Sequence, residues 1–313
     1  DTSDYYKIDS RLWSNEDFKK LCEIFHENNM KIILDWVFNH VWRNFFAFKD
    51  LQINWTNSKY CDWFSKIDFN WKNSMWDNFS YESWEWCDDL VKLNLNNNDV
   101  LNYLFWAIEM WIKEFNIDWL RLDAAERIDS EFFKKLRKFV DSKKSNFWLM
   151  WEVIHWDYTK YINNESLDST TNYECYKGIF SSHNDKNYFE IAHSLNRLFW
   201  NSWIYKNLCL YNFLDNHDVS RIISILKKHE YLNNCYVLLY TMPWTPSIYY
   251  GSEFEIEWVK NKESDNNLRP ELHISDMNNN IYTNILLKKL WKIISENHAL
   301  KYGSYEQILV KNE

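Results

Sequence analysis

Behind Ser14, the apolar positions Phe18, Leu21, Ile24 and Phe25 recur at helical spacing, and the pattern stops at Asn28-Asn29. A short continuous apolar run, 31–38, follows, which predicts a helix feeding a buried strand. The same change of period returns along the chain. Helix 100–115 precedes strand 117–123, helix 131–141 precedes strand 147–152, and a shorter strand is expected at 169–173. Helix 188–198, strand 208–214, helices 219–228 and 235–242, strand 247–250 and a closing helix 282–297 complete the series. Six strands alternating with helices predict an α/β fold built on a parallel sheet.

Two stretches do not fit the alternation. Residues 41–98 are rich in aromatics and Asn, without helical period, and too long for a simple connection, so they read as an inserted subdomain between 1–40 and 99–298. Residues 299–313 alternate apolar and polar positions, with Tyr305, Ile308 and Val310, as a strand entering a further domain would. The chain is therefore expected to be a fragment open at both ends.

Composition narrows the function. In 313 residues, 36 Lys+Arg face 45 Asp+Glu, for a net charge of −9. With no basic run to follow a phosphate backbone, nucleic acid is excluded as the expected partner. The best candidate for a membrane span, 103–115, is short and broken by Glu109 and Lys113, so no membrane partner is expected and a cytoplasmic location is the default. The cysteines at 22, 61, 87, 175, 209 and 235 show no metal-knuckle or disulfide spacing and read as ordinary thiols.

One count is abnormal, 20 Trp against 3 Gly. Several Trp stand in turn-like contexts, such as Met242-Pro243-Trp244-Thr245-Pro246 and Asn201-Ser202-Trp203, that call for a residue free to take positive φ. The expectation is that many Trp mark glycine positions, as follows if a UGA codon that means glycine is rendered as tryptophan.

Candidate chemistry collects where the expected strands finish: Asp35 and His40, Arg121 and Asp123, Glu152, and Asp215, His217 and Asp218. In a parallel barrel the carboxyl ends of the strands share one face, so side chains from distant segments would meet in one pocket. Each residue alone also fits a structural part, a helix cap for Asp123 or an Asx-type turn for His217-Asp218.

Four segments in order, Asp35-Trp36-Val37-Phe38-Asn39-His40, Trp119-Leu120-Arg121-Leu122-Asp123, Trp151-Glu152-Val153-Ile154-His155 and Phe213-Leu214-Asp215-Asn216-His217-Asp218, resemble the alpha-amylase family of glycoside hydrolases. The opening Asp1-Thr2-Ser3-Asp4-Tyr5-Tyr6 and the segment from Met242 to Gly251 fit the same pattern, and Asp89-Leu90-Val91-Lys92-Leu93-Asn94 is most similar to the neopullulanase and cyclomaltodextrinase branch. The resemblance implies a (β/α)8 TIM barrel whose first two strands are absent here, with the insertion after the third strand. Glycine is usual in the family where Trp13, Trp42, Trp119, Trp151, Trp156, Trp244 and Trp258 stand, whereas Trp63, Trp111 and Trp148 sit where an aromatic is expected. Real indoles at 119 and 151 would be expected to crowd the barrel beside the catalytic acids.

The resemblance also implies roles. Asp123 would be the nucleophile, kept ionised by Arg121, and Glu152 the general acid and then base, its pKa raised by burial and neighbouring carboxylates. Asp218 would bind sugar hydroxyls in the distorted transition state, His40 and His217 would hold hydroxyls of the same sugar, and Asp35 and Asn39 would brace the pocket wall. Cleavage of α-1,4-glucosidic bonds in starch, maltodextrin or related α-glucans with retention requires the two reacting carboxyls about 5–5.5 Å apart. No cofactor is required; Asn39 with carbonyls of the insertion is a candidate site for a structural calcium. Trp63, Phe64, Phe79, Tyr81 and Trp84 would serve either as stacking platforms for glucose units or as the insertion's own core. His183-Asn184-Asp185 reads as a polar loop. Transglycosylation by the same residues, or a non-catalytic binding module, are the alternative functions.

Overall fold

The computed structural model describes residues 2–123, 128–154, 157–200, 205, 208–261 and 266–312. Asp1, His155, Trp156 and the segment Asn201-Ser202-Trp203 lie outside the described residues. The chain divides into two compact units, Asp1–Glu152 with Asn163–Asp168, and Val153–Ile162 with Ser169–Glu313.

The first unit opens with α1 (Asn15–Glu27), where Ser14 and Asp17 form a reciprocal capping box. Then come β1 (Ile33–Val37), β2 (His40–Trp42), α2 (Phe46–Asn54), β3 (Ser83–Trp84), β4 (Cys87–Lys92), α3 (Asn98–Phe115), β5 (Trp119–Asp123), α4 (Ser130–Lys143) and β6 (Trp148–Trp151). Strands β1, β5 and β6 pair in parallel, with Val37 opposite Asp123 and Leu122 opposite Trp151. Leu120, Leu122 and Leu149 are fully buried, as are Leu104, Ile108, Phe133 and Leu136 of the helices, so sheet and helices share one apolar layer. Ring contacts cross that layer, Trp36 to Trp111 at 4.1 Å and Trp151 to Phe133 at 4.5 Å. β1 pairs with β5 along one edge only among the described residues, and Ile33 is 39% exposed where a fully buried strand was expected.

Residues 40–92 carry a separate antiparallel sheet, β2-β4-β3. The helix α2 inside this stretch has no period readable from the sequence, because Ala47, Phe48 and Leu51 are its only buried positions. Trp63, Phe64 and Phe79 are buried, which makes them core of this region and not platforms for a ligand. Tyr81 receives Arg43 Nη1 at 2.6 Å and donates to the Asp88 carbonyl, so it too is held internally.

In the second unit β7 (Ser169–Thr171), β8 (Cys209–Asn212) and β9 (Thr245–Pro246) pair in parallel, with Tyr211 opposite both Thr171 and Thr245. Buried amides tie these strands sideways: Asn172 Nδ2 donates to Asn212 Oδ1 at 2.8 Å, and Asn212 Nδ2 to the Pro243 carbonyl at 2.7 Å. The helices are α5 (Tyr173–Asp185), α6 (Tyr188–Phe199), α7 (Ile222–Ile225), α8 (Tyr231–Thr241), α9 (Tyr282–Glu296) and α10 (His298–Tyr302). Three expectations are corrected here. Tyr173 begins helix α5 and does not end a strand, so His183-Asn184-Asp185 is the last turn of a helix, with His183 buried and its Nδ1 2.7 Å from the Ile179 carbonyl. The helix expected at 219–228 shrinks to the four residues of α7. The alternating tail forms α10 and then no strand; it runs beside α6, where Asn312 Oδ1 accepts the Tyr188 N–H, and Ile308 is left 93% exposed.

The tryptophans divide sharply. Trp244 takes φ +79, as the turn reading expected, and Trp55, Trp76 and Trp86 also take positive φ at 51, 66 and 67. Trp55, with ψ −127, has the first-position geometry of a type II′ turn, which glycine takes without a Cβ clash. Trp76 and Trp86 are 85% and 98% exposed, so their indoles gain almost no packing in return. Trp111 is a genuine core residue, buried and donating Nε1–H to the Tyr5 carbonyl at 2.9 Å. Among the described residues, Trp119 makes a ring contact with Trp148 and Trp151 makes one with Phe133. Trp151 turns to Phe133 on α4, and Trp119 lies four residues, about 13 Å of strand, before Asp123.

Left-handed backbone at a bulky residue costs on the order of 1 kcal/mol. Glycine at 76 and 86 is therefore expected to raise stability by about 1 kcal/mol per site in chemical denaturation, and equal or lower stability with glycine would contradict the backbone reading.

Candidate active site

Along a strand successive side chains alternate between faces, so Trp119, Arg121 and Asp123 project from β5 on one side while Leu120 and Leu122 are buried on the other. Register sets Asp35 of β1 directly beside Arg121. β6 ends at Trp151, and the Glu152 N–H still donates to the Leu122 carbonyl at 3.2 Å, which delivers Glu152 to the strand end next to Asp123.

These placements converge on one guanidinium. Arg121 Nη1 lies 2.6 Å from both carboxylate oxygens of Asp35 and 2.9 Å from Asp123 Oδ1, and Nη2 lies 2.9 Å from Glu152 Oε2. Burial acts to lower the Arg121 pKa, but Asp35, Glu152 and Asp123 together hold it above its ordinary value, so the cation is permanent. Three carboxylates around one cation leave a surplus of negative potential, a setting that favours positive charge developing on a bound group. The side chains of Arg121 and Glu152 are 12% and 10% exposed, whereas Asp123 at 29% is open enough to meet a ligand.

Asn39 and His40 follow β1 and are both buried, with Asn39 Nδ2 3.2 Å from His40 Nδ1. Burial pulls the His40 imidazole down to about 4, against the opposing pull of Asp123, so the ring is neutral at pH 7. Trp84 of β3 stacks on that ring, centroids 5.4 Å apart and 23° between planes. Among the described residues no group of three or more His, Cys, Asp or Glu gathers as a metal site.

The remaining predicted residues belong to the second unit. His217 Nε2 lies 3.0 Å from Asp218 Oδ2, and the Asn216 side chain accepts the Asp218 N–H at 2.8 Å, so the Asx turn and the functional motif are the same structure. Asp215 differs from the expectation of a strand-end pocket residue: it is 4% exposed and bonded inward, to the Ile222 N–H and Ser252 Oγ. Three contacts to this loop had no sequence signal, because they come from distant residues without motif: Arg269 Nη2 at 3.6 Å from Asp218 Oδ1, Lys260 Nζ at 2.8 Å from the Asp218 carbonyl, and the Tyr173 hydroxyl at 3.1 Å from Asn216 Nδ2.

Comparison with known proteins then bears on the whole chain. A family model described as alpha amylase, catalytic domain, matches residues 1–283. The chain is 30% identical to a cyclomaltodextrinase of Thermoanaerobacter pseudethanolicus over 97% of its own length and 53% of that protein. It is 28% identical to an intracellular maltogenic amylase of Bacillus subtilis over 86% of its length and 47% of that protein. The chain thus spans about half the length of the curated relatives it matches. Its fold is similar to the solved structure of cyclic alpha-maltosyl-(1→6)-maltose hydrolase from Arthrobacter globiformis, with a TM-score of 0.86 over the entire chain and 70% of that structure, at 24% identity.

The His40 environment has a pH consequence. Between pH 6.5 and 4 the unfolded imidazole takes up a proton that the folded one refuses, so the stability present above pH 6.5 is lost as pH falls toward 4, by about 3 kcal/mol. Denaturation across that window should show His40→Gln losing less stability than the parent. Parallel losses would contradict a buried neutral ring.

Proposed function

Because the chain belongs to the alpha-amylase catalytic-domain family, in its neopullulanase and cyclomaltodextrinase-like branch, we propose that the full-length protein is a retaining glycoside hydrolase of α-1,4-glucosidic bonds in starch, maltodextrin or related α-glucans. The observation that carries the reading is the guanidinium of Arg121 in contact with both Asp123 and Glu152. In this reading the barrel of the family is completed by strands outside this chain, residues 41–98 are its inserted subdomain, and the location is cytoplasmic, as the name of the Bacillus subtilis relative supports.

Asp123, ionised beside Arg121, attacks the anomeric carbon while Glu152 gives its proton to the departing glycosidic oxygen. Glu152 is 9% exposed, and this burial favours its protonated form against the opposing pull of Arg121. The bond to the leaving sugar breaks as the Asp123 ester forms, and the leaving sugar departs as an alcohol. Glu152, now a carboxylate, takes a proton from water as the oxygen of that water displaces Asp123, and two inversions return the α configuration. Asp218 and His217 hold hydroxyls of the reacting sugar, and the neutral His40 ring, backed by Asn39 and Trp84, holds another. Asp35 fixes Arg121 through the same Nη1 that meets Asp123. No step involves a metal; a calcium near Asn39 would be structural.

Two measurements test this. Proton NMR of early maltotriose hydrolysis should show the α-anomer first, and the β-anomer would overturn the mechanism. Asp123→Asn and Glu152→Gln should each lower kcat by roughly 10³-fold or more, against little change in melting temperature. Excess maltose as acceptor separates hydrolysis from transglycosylation, since longer products in place of glucose and maltose would mean that sugar outcompetes water.

A further inference from the structure

The loop that bears His217 and Asp218 is closed by a residue that points away from it. Asp215 Oδ2 accepts the N–H of Ile222 at 2.9 Å, so one side chain bridges the seven residues from the end of the strand segment to the first turn of α7. That turn has no side-chain cap of its own, which leaves Asp215 to satisfy one of its orphan donors from a distance. Both oxygens of Asp215 also lie 2.9 Å from Ser252 Oγ, which donates to them and in turn accepts Arg221 Nη1 at 3.0 Å.

Arg221 is fully buried at the other end of the loop. Its Nη1 donates to the Tyr250 carbonyl at 2.7 Å and its Nη2 to the Leu268 carbonyl at 3.0 Å, while the guanidinium sits 4.1 Å from the Tyr249 ring. Its own N–H donates to the Trp258 carbonyl at 2.9 Å. Asp215, Ser252 and Arg221 therefore form one buried clasp joining both ends of 215–222 to the 249–268 segment. Burial pushes the Asp215 carboxyl up to about 6, so the group is held at an electrostatic cost. Apolar replacement of buried ionic groups is often neutral or stabilising, so this clasp is better explained by the geometry it fixes than by stability. Two exposed cations add to the clasp from the solvent side: Lys260 Nζ donates to the Asp218 carbonyl at 2.8 Å, and Arg269, 51% exposed, lies 3.6 Å from the Asp218 carboxylate.

We propose that Asp215 is a positioning residue, which through Ser252 and the Ile222 N–H fixes the loop that presents His217 and Asp218 to the sugar. The inference rests on the reading of Asp218 as a group that touches substrate. If Asp215 acts through Asp218, removing it lowers turnover only while Asp218 is present.

The test is a double-mutant cycle in the full-length protein with maltotriose as substrate. Asp218→Ala is expected to lower kcat by about 10³-fold or more. Asp215→Ala is expected to lower kcat by about 10- to 100-fold, the effect of misplacing a reacting group by about 1 Å, with KM within about twofold. Asp215→Asn, which keeps an acceptor for the Ile222 N–H, should recover kcat to within about fivefold of the parent. The double variant Asp215→Ala with Asp218→Ala should be no slower than Asp218→Ala alone. Full kcat in Asp215→Ala with only a lower melting temperature would overturn the positioning role, as would losses that multiply in the double variant. If Asp215→Ala does not fold, Ser252→Ala, which removes one leg of the clasp, takes its place with the same two outcomes. Full activity in Asp218→Ala would instead bring down the reading of Asp218 itself, a result separable from the first two.

Discussion

Everything in the first unit's site depends on one cation meeting three carboxyl groups. Without Arg121, Asp35, Asp123 and Glu152 would face each other at the end of a sheet with nothing to offset their repulsion, and two of the four partners have little water around them. Its position is a product of the strand period. Being two residues before Asp123 puts it on the same face, and parallel register with β1 puts it next to Asp35. The proposed mechanism builds on this arrangement, since a retaining glycosidase needs one carboxyl as nucleophile and a second as acid, kept in distinct surroundings.

The strand and helix alternation was legible because it is a change of period, and the acids at 123 and 152 were legible because they end those strands. What was not legible has physical reasons. Helix α5 buries small and polar residues, Cys175, Gly178 and Ser182, along with Ile179, so it shows no apolar stripe; a Cβ on Gly178 would already stand 3.1 Å from Ile191 Cδ1 of α6. The 219–228 segment has apolar periodicity, yet Arg221, tied down in the clasp, takes ψ 136 outside the helical range, and only the four residues 222–225 are helical. The tail alternates like a strand but has no strand partner among the described residues, and alternation without a partner forms no ladder.

The site residues divide in the same way. Within the first unit, the placing of Asp35 beside Arg121 and of Arg121 on the face of Asp123 could be read from sequence, because strand register and period set both. Their supporting contacts could not, because Trp84 against His40, Arg269 and Lys260 against the Asp218 loop, and Ser252 beneath it are all brought in by tertiary structure from segments with no motif. Asp215 is the instructive case: sequence position grouped it with the candidate ligand-facing acids, whereas its carboxylate is buried and accepts the Ile222 N–H at the far end of its own loop. Positive φ at Trp55, Trp76, Trp86 and Trp244 is likewise visible only in the backbone, and it gives the unusual Trp and Gly counts a conformational meaning.

The central claim is that Asp123, held by Arg121, forms a covalent bond to the sugar. Incubating the full-length protein with 5-fluoro-α-glucosyl fluoride, which slows the second displacement, and mapping the digest by mass spectrometry addresses it directly. The account predicts one glycosyl unit on the peptide containing Asp123. A label on Glu152 or Asp218, or turnover of substrate with no trapped ester, would contradict it.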